Sequence, residues 1–163
     1  MKKNFLLTFF LFIEAGFSQN VLPPATLKDL DGNEVSFTQI PTGEPVILAL
    51  WATWCVPCIN ELEAIAPLYS EWQELYNVKI YAISIDDART VNRVRPMVMG
   101  KGWEYEILFD TNNDLRRALG AATVPLTLIV KNNEILYRRL GYSPGAEDVL
   151  ESKLKSLSRK SEN

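Results

Sequence analysis

Cys55 and Cys58 are the only cysteines in this 163-residue chain, set as Trp54-Cys55-Val56-Pro57-Cys58. An apolar run, Val46 to Trp51, precedes them, and a helix-like run, Ile59 to Tyr76, follows. That context reads as strand, tight turn and helix start. A thiol at a helix N-terminus sits among unpaired backbone N–H groups and the positive end of the helix dipole. Both favour thiolate over thiol. A second thiol one turn further in can attack a mixed disulfide formed by the first. The pair can therefore cycle between dithiol and disulfide.

Other uses of the pair fit less well. Structural zinc wants four Cys or His ligands, and the chain has no histidine and no third cysteine. A purely structural disulfide would close a loop too short to stabilise much. Without histidine, a His-based nucleophile relay, acid–base pair or metal site is excluded. Asp86, Asp87 and Asp110 read as strand-end and loop acids rather than a carboxylate metal cluster. The sequence calls for no metal and no cofactor.

Bulk properties describe one globular domain. The chain is 47% hydrophobic and 23% charged, with a formal net charge of −3. That length suffices for a proper core. Basic residues are scattered, so no nucleic-acid surface is expected. The N-terminus has the pattern of an export signal. Lys2-Lys3 is a basic start, Phe5 to Ile13 is an apolar run, and Gly16-Phe17-Ser18 offers small residues for cleavage before Gln19. The apolar run is shorter than the roughly 20 residues that span a bilayer, and an uncleaved anchor is the alternative reading. The expected organisation is a signal at 1–18 and a single domain at 19–163, with its core at about 23–157. An exported dithiol protein works where disulfides persist.

The elements that must position the pair follow from patterning. Residues 19–26, with Pro23-Pro24, read as a loosely held lead-in. Leu27 to Phe37 reads as a hairpin turning at Asp31-Gly32. Val46 to Trp51 has no alternation, as expected of a strand buried on both faces. The helix after Cys58 carries Ile59, Leu62, Ile65, Ala66, Leu68, Tyr69 and Trp72 close to a stripe, with Pro67 as a kink. Lys79 to Asp86 is the next strand. Ala88 to Gly100 is a second helix with a bend at Pro96, and Ile107 to Phe109 a short strand. Asp114 to Leu119 is a short helix closed by Gly120. Leu126 to Val130 and Ile135 to Leu140 form a hairpin turning at Asn132-Asn133. The last helix runs to about Leu157 on Val149, Leu150, Leu154 and Leu157. The order implies an α/β fold with a parallel core, an antiparallel edge and helices on both faces.

Three separated features now coincide. They are Leu50-Trp51-Ala52-Thr53-Trp54-Cys55-Val56-Pro57-Cys58, Thr123-Val124-Pro125 about 70 residues later, and Gly141-Tyr142 after the second hairpin. With the export signal and N-terminal hairpin, they resemble the TlpA/ResA-like branch of the thioredoxin superfamily. The resemblance implies a thioredoxin-like fold: a central mixed sheet flanked by helices, an N-terminal β-hairpin and an extra βα insertion. The insertion would lie between the Lys79–Asp86 strand and Val124, with Lys101-Gly102-Trp103 inside it.

The resemblance also assigns roles. Cys55 would be the attacking nucleophile and Cys58 the buried resolving thiol. Val56 and Pro57 would tune the redox potential. Trp54 would be a partly exposed lid beside the disulfide, or else a core aromatic. Pro125 would be the superfamily's cis-proline, opposite the cysteines, with the Val124 backbone pairing to an extended substrate segment. Trp51, Trp72 and Trp103 read as packing residues. Glu61, three residues after Cys58, stands where the family often carries a glutamate. It would take the proton from Cys58, or it is a solvated first-turn acid. Plain thioredoxin has a buried aspartate where this chain has Ala49. Leu126 and Lys131 also depart from the family pattern after the cis-proline.

The implied function is an extracytoplasmic thiol–disulfide oxidoreductase that reduces protein disulfides. Its partners would be disulfide-containing exported proteins, including apocytochrome c, and a membrane thiol donor of electrons. Competing readings are an oxidase or isomerase of exported proteins, a peroxidase, a non-enzymatic metallochaperone, and a binding module with incidental cysteines.

Overall fold

The computed structural model describes residues 20–37 and 43–159. The export signal expected at 1–18 lies outside the described residues. Seven strands form one mixed sheet. They are β1 (Thr26–Asp29), β2 (Glu34–Ser36), β3 (Val46–Trp51), β4 (Lys79–Ser84), β5 (Glu106–Phe109), β6 (Leu126–Lys131) and β7 (Glu134–Leu140), in the spatial order β2-β1-β5-β4-β3-β6-β7. β3, β4 and β5 run parallel, and an antiparallel hairpin closes each side. The fold is the expected one, with β5 inserted between β4 and the N-terminal hairpin.

Every residue of β3 is buried, because β3 lies in the sheet interior with helices on both faces. The helices are α1 (Val56–Ile65), α2 (Tyr69–Tyr76), α3 (Val94–Lys101), α4 (Asp114–Ala118) and α5 (Ala146–Arg159). The expected break at Pro67 is a 3₁₀ turn, Ala66–Leu68, between α1 and α2. α1, α2 and α5 pack on one another. Lys101 at the end of α3 pairs with Glu63 on α1, so α3 shares that face. Arg138 and Arg139 are neighbours on β7 and point to opposite faces. Arg139 reaches α1, whereas Arg138 donates to the Leu119 carbonyl just after α4. α4 therefore covers the other face. The second hairpin turns through Asn132 and Asn133, both at positive φ, as a tight hairpin requires.

The structure corrects four expectations. The lead-in is pinned: Leu22 is buried and its N–H donates to Asn133 O, while Ile135 N–H donates to Asn20 O. The second helix starts at Val94, after a turn at Asp87–Thr90 and a 3₁₀ segment at Val91–Arg93. Asp87 holds that turn open by accepting the Arg89 N–H, an alternative to helix that aspartate favours. Pro96 therefore falls in the first turn of α3, where its missing N–H costs little. Strand β4 stops at Ser84, and Val149 on α5 is exposed while Leu150 and Leu154 are buried.

Candidate active site

β3 delivers the chain to the site and α1 receives it. Cys55 is the N-cap of α1, with extended backbone angles of φ −96° and ψ 93°. Its N–H donates to Ala52 O at 3.0 Å, and its carbonyl accepts the Ile59 N–H at 3.1 Å. Pro57 occupies the second helical position, where its missing N–H has no intrahelical role. No acidic residue lies in the first turn, so nothing there offsets the helix dipole beside the Cys55 sulfur. Cys55 and Cys58 form a disulfide. Cys58 is 0% exposed and Cys55 6%. Cys55 is thus the sulfur an incoming thiolate can reach.

Around this pair Trp54 is 57% exposed and Val56 65%, and Pro57 is exposed as well. Trp54 is therefore no core aromatic. The Val124–Pro125 peptide bond is cis. Pro125 is buried and Val124 half-buried. The Pro125 carbonyl accepts the N–H of Gly141 at 2.8 Å, which ties the proline loop to the end of β7. Beside Trp54 opens a polar cleft of about 300 Å³ that includes Asp87, Arg89, Asn113 and Arg116.

One turn beyond Cys58 on α1 stands Glu61, 1% exposed. The solvated-acid reading fails, because Glu61 stands on the sixth residue of α1 and faces the sheet. Thr127 Oγ1 donates to Glu61 Oε1 at 2.5 Å, and Arg139 donates to the same oxygen. Burial pushes the Glu61 carboxyl above the ordinary carboxylate range, and the Thr127 hydrogen bond and the Arg139 charge pull it part of the way back. The sheet register explains this convergence. Ala49 pairs with Thr127, and Thr127 with Arg139, so all three side chains share the sheet face under α1. Ala49 is small, and the buried carboxylate on this face comes from Glu61 on α1.

Sequence reasoning missed Thr127, Arg139 and the part played by Asp86. Asp86 is buried and accepts hydrogen bonds from Thr53 N–H, Thr53 Oγ1 and Ser84 Oγ. It fixes the loop that carries Trp54 and Cys55. Asp110, expected as a loop acid, is buried and accepts the N–H groups of Leu115 and Arg116 at the start of α4. Burial pushes its carboxyl up, and those N–H groups oppose the shift. The inserted segment packs against the same region: Trp103 meets Trp51 edge-on at 5.3 Å, and Tyr105 Oη donates to Leu62 O at 2.7 Å.

The AhpC/TSA family matches residues 19–139, well over half of the chain. The chain belongs to the AhpC/TSA family. A thioredoxin-like protein of Porphyromonas gingivalis, known in solution, is 37% identical to this family member and superposes with a TM-score of 0.75, covering 85% of this chain and 92% of that one. A thiol:disulfide interchange protein DsbE of Chlorobium tepidum, so described in its structure, shares the fold with a TM-score of 0.76 at 20% identity, over 85% of this chain and 96% of that one. Among curated relatives, the thiol-disulfide oxidoreductase ResA of Geobacillus thermodenitrificans is 29% identical over 111 residues, 68% of this chain and 62% of the relative. The chain thus spans less than two thirds of that relative's length. ResA of Bacillus thuringiensis is 25% identical over 136 residues, 83% of this chain and 75% of the relative. This AhpC/TSA member holds Cys55 and Cys58 as a Cys-x-x-Cys disulfide at the start of α1.

Proposed function

We propose that this protein reduces disulfides of other exported proteins outside the cytoplasm. In the forward step the Cys55 thiolate attacks a client disulfide and one client sulfur leaves as thiolate. Cys58 then passes its proton to Glu61 and attacks Cys55. The Cys55–client bond breaks, the Cys55–Cys58 bond forms, and the client departs with two thiolates, which take up protons from water and from Glu61. The client gains two electrons and the pair loses them. A donor dithiol must then reduce Cys55–Cys58, and a membrane thiol carrier is the proposed source.

The buried Glu61 carboxylate, one turn beyond Cys58, carries the direction. A strong oxidant of this class gains its high potential because its reduced form is stabilised. A carboxylate one helical turn from Cys58 acts against thiolate stabilisation, and Val56 adds no charge. Support for export comes from Lys2-Lys3 and the apolar run Phe5 to Ile13, with 1–18 proposed as the signal and 19–163 as one domain. Among the described residues no helix is long and apolar enough to cross a membrane. The proposed clients include apocytochrome c, on the strength of the resemblance to the ResA-like branch. In this reading Trp54, Val56, Pro57, Val124 and Pro125 form the client-binding surface.

The reduction potential tests the direction. A value near or below about −230 mV is expected, and a value of about −120 to −180 mV would make the protein an oxidase or isomerase.

A further inference from the structure

We propose that Arg139 is the counter-ion that keeps the buried Glu61 carboxylate ionised, and so acts as a positioning residue for the proton acceptor of Cys58. The second clause rests on the proton-transfer role given to Glu61 above; the first stands on geometry alone.

Arg139 lies on β7, directly opposite Thr127 on β6. Its Nη2 donates to Glu61 Oε1. The two side chains are only 17% and 2% exposed, respectively. The other described ion pairs involve side chains at least 37% exposed. A buried carboxylate without a cation nearby takes up a proton. A guanidinium in the same place stays charged. The pair is therefore asymmetric: Arg139 fixes the charge and Glu61 responds.

Stability does not explain the arrangement. Arg139 Nε and Nη1 are buried and have no hydrogen-bond partner among the described residues. Each such donor carries a desolvation cost, and an apolar pair of similar size often serves a core as well as a buried ion pair. The guanidinium carbon also lies 5.8 Å from the Tyr142 ring centroid. Other groups bear on Glu61 from the surrounding elements. Glu147 on α5 opposes its ionisation, while Tyr105 and Tyr142 feel its charge. Cys58 shares its helix. Arg139 is the only one of these groups that favours the carboxylate by charge.

The test follows the Glu61 carboxyl directly, by carbon NMR of the oxidised full chain across pH, in wild type, Arg139→Gln and Arg139→Lys. The rate at which Cys58 resolves a mixed disulfide is measured on the same proteins. In Arg139→Gln the Glu61 midpoint is expected to rise by about one pH unit or more, a tenfold change in its proton affinity. The lysine variant reverses most of that rise. An unmoved midpoint in Arg139→Gln, or a lysine variant that behaves as the glutamine one does, overturns the proposal. A midpoint that moves while the pH profile of resolution stays fixed supports the counter-ion and removes Glu61 from proton transfer. If Arg139→Gln fails to fold, Glu61→Gln is added. Recovery of the fold in the double variant supports the counter-ion, and no recovery overturns it.

Discussion

Asp86 grips Thr53 with both carboxylate oxygens, one on the backbone N–H at 2.8 Å and the other on the hydroxyl at 2.6 Å. The contact ties the end of β4 to the loop before Cys55. Replacing Asp86 with alanine leaves the buried Ser84 hydroxyl and the half-buried Thr53 donors without their acceptor. The expected loss is about 3 kcal/mol of stability. Urea unfolding of the oxidised protein measures it, and a loss under about 1 kcal/mol would mean that the loop holds itself.

The unequal exposure of the two cysteines predicts unequal variants. Cys58→Ser should accumulate a mixed disulfide between Cys55 and a client or a small disulfide, visible as added mass. Cys55→Ser should accumulate little, because Cys58 is sealed beneath it. Equal trapping by both variants would contradict the assignment of Cys55 as nucleophile.

Glu61→Gln should slow resolution by tenfold or more near neutral pH, within the range that general-base catalysis contributes. Stability gives a second readout. Burial raises the Glu61 carboxyl in the folded chain, whereas the unfolded chain keeps the ordinary value of about 4.3. Between the two values the folded state holds a proton that the unfolded state has lost. Stability therefore falls as pH rises through that window and levels off above it. Asp110 contributes with the same sign in both proteins. The glutamine variant should show a shallower fall, and identical slopes would place the Glu61 carboxyl at its ordinary value.

Trp54→Ala should leave stability within about 0.5 kcal/mol, since most of the side chain is in water. Client reduction should slow, chiefly through a higher KM, while reaction with a small disulfide stays near wild type. A large loss of thermal stability would show that Trp54 packs more tightly than its exposure allows.

The sequence disclosed the order of the elements because hydrophobic runs and turn residues are local signals. Val46–Trp51, the break at Pro67 and the Asn132-Asn133 turn all lie where local patterning put them. It also placed the cysteine pair at a helix start. What it could not disclose depends on pairing between distant strands. Thr127 and Arg139 look like ordinary hairpin residues until the register sets them side by side over Ala49. Glu61 looks solvated because acids near helix starts usually are, and only the sheet beneath α1 makes it buried. Leu22 escaped notice because its partners, around Asn133, stand more than 100 residues away.

Of the four tryptophans, Trp51, Trp72 and Trp103 are buried, and Trp54 alone meets solvent beside the disulfide. That distribution gives the molecule a built-in optical reporter. Disulfides quench nearby indole emission, so opening Cys55–Cys58 should brighten a red-shifted signal over a steady blue background. Each half-cycle could then be timed in a stopped-flow fluorimeter without a dye, a label or a purified client.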